Sequence, residues 1–582
     1  MGIFRKLGWY FKRERRTYLI GVLGLLLTAL FAIIPPRLIG MVVDAINDHR
    51  LTVRRLLIYL AILVVAAIGQ YVTRYMWRTA IWGAAAELER LLRTRLFKHY
   101  MVMDQTFYQK YRTGDLMARA TNDLQAIQRV AGGGILQFAD SIITGGTTLI
   151  AMMTLVNWRL TLIAVLPFPL LAVMAFYLGQ KMNIAFRESQ AAFSRLNNKA
   201  QESITGIKVI KSLGQEREDM ADFNHQVDET INVNRRVNRL DAMFDPLTTL
   251  IIALAYVATI VIGGSLVVHG TITIGNLVTF ITYLAMMVWP IFAVGMLFNT
   301  LERGNASYDR VMHLLNEVPA VSDGESGRQT APQGDLTFDI QQFQYPGDDH
   351  PSLTDVAFTV KEGQTLGIVG RVGSGKSTIM RLILRQFEHY QGRIIMAGDD
   401  VRDYQLDAYL PAIGYVPQDS FMFSDSVREN IAFARPDASM AEVETAAEKS
   451  DLAHQISQFP DGYDTQVGED GISLSGGQRQ RLAVARTLMI DPELLILDDA
   501  LSAVDAETES QILGQLRQER QHKTTIIAAH RLSSVMHADE IIVMDGGRVV
   551  ERGDHESLMA SNGWYRQMFD RQALQLKVRG EE

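Results

Sequence analysis

The chain of 582 residues contains no cysteine. Disulfides, zinc–thiolate centres and iron–sulfur clusters are therefore excluded, and with them the oxidised small-scaffold classes. No repeat with a period of about 20–50 residues is present, so solenoids and propellers are excluded too. An overall basic excess is also missing: 57 Lys+Arg stand against 64 Asp+Glu, a formal charge of -7. That total hides a split. Residues 331–582 hold 23 Lys+Arg against 40 Asp+Glu, net -17, which leaves 34 against 24, net +10, for the rest. A basic membrane half and an acidic soluble half explain this better than a nucleic-acid partner. The 48% hydrophobic content, high beside 21% charged residues, suggests the same division.

A membrane-spanning helix needs about 20 mostly apolar residues. Six windows approach or meet this: 18–43, 56–73, 133–157, 160–180, 246–268 and 275–298. The first is interrupted by Pro35, Pro36 and Arg37. No small-residue cleavage site follows it, so an uncleaved first span is expected. Ahead of it Arg5, Lys6, Lys12, Arg13, Arg15 and Arg16 place the N-terminus in the cytoplasm. In GIFRKLGWYFKRER, Phe4, Leu7, Trp9 and Tyr10 are interleaved with these bases. That pattern predicts a short amphipathic helix on the inner membrane surface, with a plain basic tail as the alternative. The stretches 74–131 and 181–245 are long and charged, each with 10 Lys+Arg, whereas 157–159 and 269–274 are very short. The long loops then fall inside and the short ones outside. Helical patterns in the long loops predict that the membrane helices continue into the cytoplasm as a bundle. The stretch 317–334, EVPAVSDGESGRQTAPQG, has linker composition. The expected organisation is a transmembrane domain at 1–316, a linker at 317–334 and a soluble domain at 335–582.

The soluble part carries the chemistry. GRVGSGKST at 370–378 follows the apolar run TLGIV and precedes the helical run IMRLILRQF, the strand–loop–helix context a phosphate-binding loop requires. Gly370, Gly373 and Gly375 let backbone N–H groups turn towards phosphate oxygens, with Arg371, Val372, Ser374 and Thr378 completing the loop. Lys376 supplies a point charge for the β- and γ-phosphates, and the Ser377 hydroxyl suits Mg²⁺. ELLILDDA at 493–500 is an apolar strand ending in two acids, which puts Asp498 where such a protein holds Mg²⁺. Alone, that strand would read as ordinary buried structure. Between the two lies LSGGQRQR at 474–481, where Ser475, Gly476, Gly477 and Gln478 form a second anion-binding turn at a helix N-terminus. One nucleotide has no use for both surfaces unless they come from different chains.

LSGGQ is the signature of ABC-transporter ATPases, and residues 335–570 resemble that family throughout. Tyr345 resembles its adenine-stacking aromatic. Gln418 in YVPQD resembles the loop glutamine that touches Mg²⁺ and senses the membrane domain. Val467, Gly468 and Glu469 resemble the exporter loop that contacts the cytoplasmic helices. Ser502 to Asp505 resemble the loop crossing to the other subunit, and His530 in AAHRLS resembles the switch histidine on the γ-phosphate. In the membrane half, GDLMARATNDL at 114–124 and the region 212–224 resemble the segments that dock on the ATPase domains. The resemblance implies a polytopic α-helical membrane domain of six transmembrane helices fused to an α/β P-loop ATPase. It also implies two chains closing head to tail around two ATPs, ATP hydrolysis coupled to transport, and ATP and Mg²⁺ as cofactors.

One residue departs from the family pattern. Hydrolytic sites have Glu after the Mg²⁺-holding Asp; here it is Asp499. Asp is shorter by roughly 1 Å, and a misplacement of that size costs on the order of a hundredfold in rate. A tolerated swap at a working base is one reading. The other is the subunit of heterodimeric bacterial multidrug exporters of the BmrC/BmrD type that pairs Asp here with an intact LSGGQ, its partner carrying the Glu and a degraded signature. The expected partner is then a different half-transporter. The catalytic candidates are Asp499, His530 and Gln418, and the metal ligands Ser377, Gln418 and Asp498. Residues 286–298, MMVWPIFAVGMLF, suit promiscuous apolar ligands as well as they suit lipid. Asp140, an acid inside an apolar window, suits cation recognition or a structural partner on another helix. The expectation is an exporter of small amphipathic compounds in a bacterial plasma membrane. A homodimeric lipid or peptide exporter and a rarely hydrolysing nucleotide-gated channel or regulatory subunit are the alternatives.

Overall fold

A computed structural model of the chain describes residues 2–323, 327–468 and 474–579. It divides into two compact units: Met1–Met101 with Thr113–Glu317, and Val102–Arg112 with Val318–Glu582.

The first unit is helical. Five of its helices are long and apolar enough to cross a membrane: Arg15–Asn47, Val53–Val102, Thr113–Val165, Glu216–Val268 and Ile274–Leu315. In the second of these only 11% of the most apolar window is buried, so it offers its side chains outward, as a lipid-facing helix must. The windows 133–157 and 160–180 meet at Asn157, whose extended backbone (φ -162, ψ 124) leaves the helical region. Its side chain accepts from the N–H groups of Arg159 and Leu160 and caps a new helix from Trp158. Pro167 then divides the apolar run 160–180 between Trp158–Val165 and Phe168–Thr205.

Three expectations are corrected here. The first helix runs unbroken through Pro35 and Pro36. The prolines remove the donors to the Phe31 and Ala32 carbonyls, and the same turns are anchored from a neighbouring helix: the Tyr283 hydroxyl donates to the Ile33 carbonyl at 2.8 Å and Thr279 to the Pro36 carbonyl at 3.3 Å. Arg37 donates to Asn276 at 2.6 Å. Second, the N-terminal segment Gly2–Lys6 and Gly8–Arg13 is helical, but its apolar face packs on protein. Ile3, Leu7 and Tyr10 are at most 1% exposed, and the Tyr10 hydroxyl donates to the Ala84 carbonyl at 2.6 Å. Third, residues 114–124 are not a docking loop; they begin the long helix at Thr113. The short helix between long ones is Gln105–Lys110, which lies in the ATPase-side unit with Asp104 accepting from the Val321 N–H at 3.1 Å. Likewise the second short helix is Ile207–Leu213, ended by Gly214 at φ 65, with Ile207, Val209 and Leu213 exposed.

The first and last long helices cross through glycines. A Cβ on Gly275 would lie 1.9 Å from the Gly40 carbonyl oxygen, and one on Gly40 would lie 2.0 Å from Thr279 Oγ1. Asp44 locks the crossing by accepting from the Gly275 N–H and the Thr273 hydroxyl, both at 2.7 Å. Gly275→Ala is therefore expected to destabilise by about 1–3 kcal/mol as an overpacking change. Gly146→Ala, with nothing within 4 Å of the new methyl, is the control. Thermal unfolding of the purified protein checks this, and equal midpoints for the two variants would contradict it.

The second unit has two sheets. One is antiparallel and consists of β1 (Leu336–Phe343), β2 (Leu353–Val360), β4 (Tyr390–Met396) and β5 (Asp399–Asp400), in the order β2-β1-β4-β5. The other joins β3 (Thr365–Gly370), β6 (Ile413–Val416), β7 (Leu494–Asp498), β8 (Thr524–Ala528), β9 (Glu540–Asp545) and β10 (Arg548–Gly553), in the order β10-β9-β3-β8-β7-β6. β7 and β8 are buried at every position, as parallel strands covered on both faces should be. The pairs β9–β3, β3–β8, β8–β7 and β7–β6 are parallel, so their carboxyl ends share one edge. Ligands in open α/β sheets bind at that edge.

Candidate active site

Four chain segments leave that edge together. The glycine-rich loop follows β3, Gln418 follows β6, Asp498 and Asp499 end β7, and His530 follows β8. Along with Tyr345 they line one cleft of about 850 Å³. The loop needs its glycines: Gly373 and Gly375 sit at φ 79 and 101, which side chains disfavour. A Cβ on Gly370 would fall 2.2 Å from the Met544 carbonyl oxygen. Lys376 opens the helix Lys376–Ile383 and turns its ammonium back onto the carbonyls of Gly370 and Arg371, at 2.9 and 3.1 Å. Burial lowers its pKa, against the pull of Asp498 and Asp499.

Asp498 is buried, and desolvation raises its pKa above the usual carboxylate range. It accepts from the Ser377 hydroxyl at 3.1 Å and the Tyr415 hydroxyl at 3.4 Å. Asp499 adopts a left-handed backbone, φ 50. Its carboxylate accepts long hydrogen bonds from the His530 N–H, 3.4 Å, and from Gln418 Nε2, 3.5 Å. Tyr345 packs edge-on against Phe343 and Phe387, at 5.0 and 5.1 Å, and donates to Thr378 Oγ1 at 3.0 Å. Val372 stands 87% exposed at the loop tip.

These residues fit a nucleoside triphosphate. Among the described residues the buried Ser374 hydroxyl has no hydrogen-bond partner, inside a loop of left-handed glycines that turns N–H groups outward. Ser377 and Asp498 offer hard oxygen donors to a divalent cation. Among the described residues no group of three or more His, Asp or Glu forms a metal cage. Mg²⁺ needs none, since it is held by one or two carboxylates plus phosphates.

Ser475, Gly476, Gly477 and Gln478 do not line this cleft. Ser475 caps the helix Gly476–Leu488 in a capping box, its hydroxyl accepting from the Gln478 N–H at 3.2 Å while Gln478 Oε1 accepts from the Ser475 N–H at 2.8 Å. The helix is tied to the end of β7: Gln480 donates to Ser502 at 3.1 Å, and Ser502 donates to the Asp499 carbonyl at 3.0 Å. Val467 is buried; Glu469 lies outside the described residues. The sequence reading missed Tyr415, Arg381 and the loop Asp348–His350, of which the last two line the cleft. Tyr415 lies diagonally across the β6–β7 pair from Asp498, a neighbour that appears only once the register Tyr415↔Ile496 is known.

In the helical unit a second cavity, about 600 Å³, is lined by Asp140, Arg74, Arg78, Trp77, Gln137 and Trp289 among others.

The fold has close relatives. The ABC transporter transmembrane region family matches residues 18–291, and the ABC transporter family matches residues 353–502. The chain is 42% identical over 98% of its length, and 98% of the relative's, to the probable multidrug resistance ABC transporter ATP-binding/permease protein YheI of Bacillus subtilis (strain 168). It is 43% identical to the multidrug resistance-like ATP-binding protein MdlA of Escherichia coli (strain K12), covering 99% of the chain and 97% of that protein. The ATP-dependent lipid A-core flippase of Pseudomonas fluorescens (strain Pf0-1) is 35% identical, over 87% of the chain and 84% of that protein. Among solved structures, a bacterial Atm1-family ABC exporter with ATP bound superposes with a TM-score of 0.79 at 28% identity, covering 96% of this chain and 99% of that one.

Proposed function

Because the chain belongs to the ABC transporter family, as an exporter with its transmembrane region fused to an ATPase that couples ATP hydrolysis to transport, we propose that it is one subunit of a heterodimer that exports amphipathic, drug-like compounds across a bacterial plasma membrane. The observation that carries the heterodimer is Asp499 in place of Glu, beside a complete LSGGQ. In this reading the membrane unit has six spans. The span beyond those five, fourth in chain order, is formed by Trp158–Val165 and Phe168–Thr205, with the third ending at the cap at Asn157. The basic N-terminal segment and both long charged loops lie in the cytoplasm.

Tyr345 stacks on adenine. The backbone of residues 370–375 and Lys376 hold the phosphates. Ser377 and Asp498, with Gln418, would hold Mg²⁺, which when bound would offset charge on the phosphate oxygens. Asp498 must be ionised to do so, so metal affinity at this site rises with pH through its raised pKa. His530 faces the γ-phosphate. The signature residues Ser475 to Gln478 grip the nucleotide bound by the partner chain, which explains why they stand away from their own cleft. ATP drives the cycle only by binding the closed dimer more tightly than the open one.

The test is ATP-dependent uptake of neutral and charged fluorescent amphiphiles into everted vesicles carrying both subunits. Dye movement that stops when ATP is withheld is expected. Absence of dye uptake alongside ATP-dependent flipping of a labelled lipid would instead favour a lipid exporter, a reading that the flippase relative also supports.

A further inference from the structure

We infer that the cavity in the helical unit is a site for an amphipathic anion, a flat apolar body carrying a sulfonate, carboxylate or phosphate. The inference rests on the exporter reading and names the substrate class it leaves open. Asp140 alone suggested a cation site, but the cavity places two arginines, Arg74 and Arg78, in the same lining. Among the described residues neither guanidinium has an ion pair or hydrogen bond, and Asp140 is held by Thr144 of its own helix at 2.5 Å. The lining therefore has one unmatched positive charge. Both arginines stand exposed in this lining, so an anion supplied by the ligand can reach and pair with them. One further group awaits an anionic ligand: among the described residues Trp77 Nε1 is buried without a hydrogen-bond partner. Trp77 and Trp289 offer flat apolar surface beside it. The Trp77 indole donates only, so it suits an anionic oxygen. Arg74 follows directly on the apolar run 56–73. In the proposed orientation it stands at the cytoplasmic edge of the bilayer, where an anionic head enters while its apolar body stays in hydrocarbon.

The probes are 8-anilinonaphthalene-1-sulfonate and N-phenyl-1-naphthylamine, which share an aromatic body and differ by the sulfonate. Each is titrated by fluorescence against the full transporter in phosphatidylcholine nanodiscs without ATP. Arg74→Gln with Arg78→Gln should weaken sulfonate binding about tenfold and change neutral binding less than about twofold. Arg74→Lys with Arg78→Lys should restore most of the loss. Trp77→Phe, which keeps the ring and removes the N–H, should weaken the sulfonate about threefold and spare the neutral probe. Asp140→Asn should tighten it. Competition by phosphatidylglycerol in the nanodisc supports a lipid headgroup as the anion, and its absence supports a free amphipathic anion. Equal losses for both probes, or no loss for either, would overturn the site. Wild-type dye uptake separates the two readings: uptake without charge discrimination sinks this inference alone, and discrimination without uptake sinks the exporter reading alone.

Discussion

Gly477→Asp should cut steady-state ATP hydrolysis by the assembled exporter about a hundredfold or more, while Asp499→Asn should leave roughly half or more of it. The difference follows from which nucleotide each residue serves. Gly477 stands in the first turn of the signature helix, where N–H groups and the helix dipole favour an anion. An Asp there sets a carboxylate where the partner's γ-phosphate belongs. Its Cβ would also lie 3.0 Å from the Ala503 carbonyl oxygen, pressing on the loop that links the signature helix to Asp499. In the heterodimer proposed, both effects fall on the faster site. Asp499, by contrast, serves the chain's own cleft, where its carboxylate bends back to the His530 N–H. A base displaced by roughly 1 Å already works on the order of a hundredfold slowly, so neutralising it removes little. Ser475→Ala separates folding from function. Losing the cap costs about 1 kcal/mol of stability, which thermal unfolding reads, while the loss of ATPase activity should far exceed that. Phosphate release from purified complexes measures all three. Equal silencing by Asp499→Asn and Gly477→Asp would make the sites equivalent and Asp499 a working base.

The second large effect is expected at Lys376. Lys376→Ala should weaken ATP binding at this chain's site by about 2 kcal/mol or more, roughly thirtyfold. The ammonium is parked on two loop carbonyls with its charge disfavoured by burial, so phosphate both frees it and restores its preferred form. Tyr345→Ala removes stacking worth about 1 kcal/mol or more. It also opens the cluster with Phe343 and Phe387, so Tyr345→Phe is the cleaner variant. That change keeps the ring, loses the hydroxyl bond to Thr378 and should bind ATP almost normally. Titration of a fluorescent ATP analogue against the full chain decides the order. Unchanged affinity in Lys376→Ala would contradict the phosphate-binding role.

The cleft was legible in the sequence because its residues lie on short local patterns. A strand, a glycine loop and a helix in succession specify where Lys376 and Ser377 stand, whatever surrounds them. Asp498 was readable for the same reason, at the end of a wholly apolar strand. What depends on register or on a neighbouring helix was not. Tyr415 reaches Asp498 only across a strand pair, and the loop Asp348–His350 reaches the cleft only through the fold. Pro35 and Pro36 look like breakers until Tyr283 and Thr279, far along the chain, anchor the same turns. The short helix belonging with the ATPase-side unit lies at Gln105–Lys110, a few residues before the stretch expected, because the charged pattern of 114–124 already belongs to the next long helix. Arg74 and Arg78 read as loop charges, since nothing local indicates that the helix from Val53 carries them to the wall of a cavity.

The central claim is that the working unit contains this chain once, beside a different one. Native mass spectrometry of the complex, purified through a tag on this chain from membranes of the source cell, tests it directly. The account predicts a dimer of two unlike chains in equal amounts, one of them 65.2 kDa, whose two bound ATPs are lost at different rates under turnover. A dimer with twice the 65.2 kDa mass, losing both nucleotides at one rate, would contradict it.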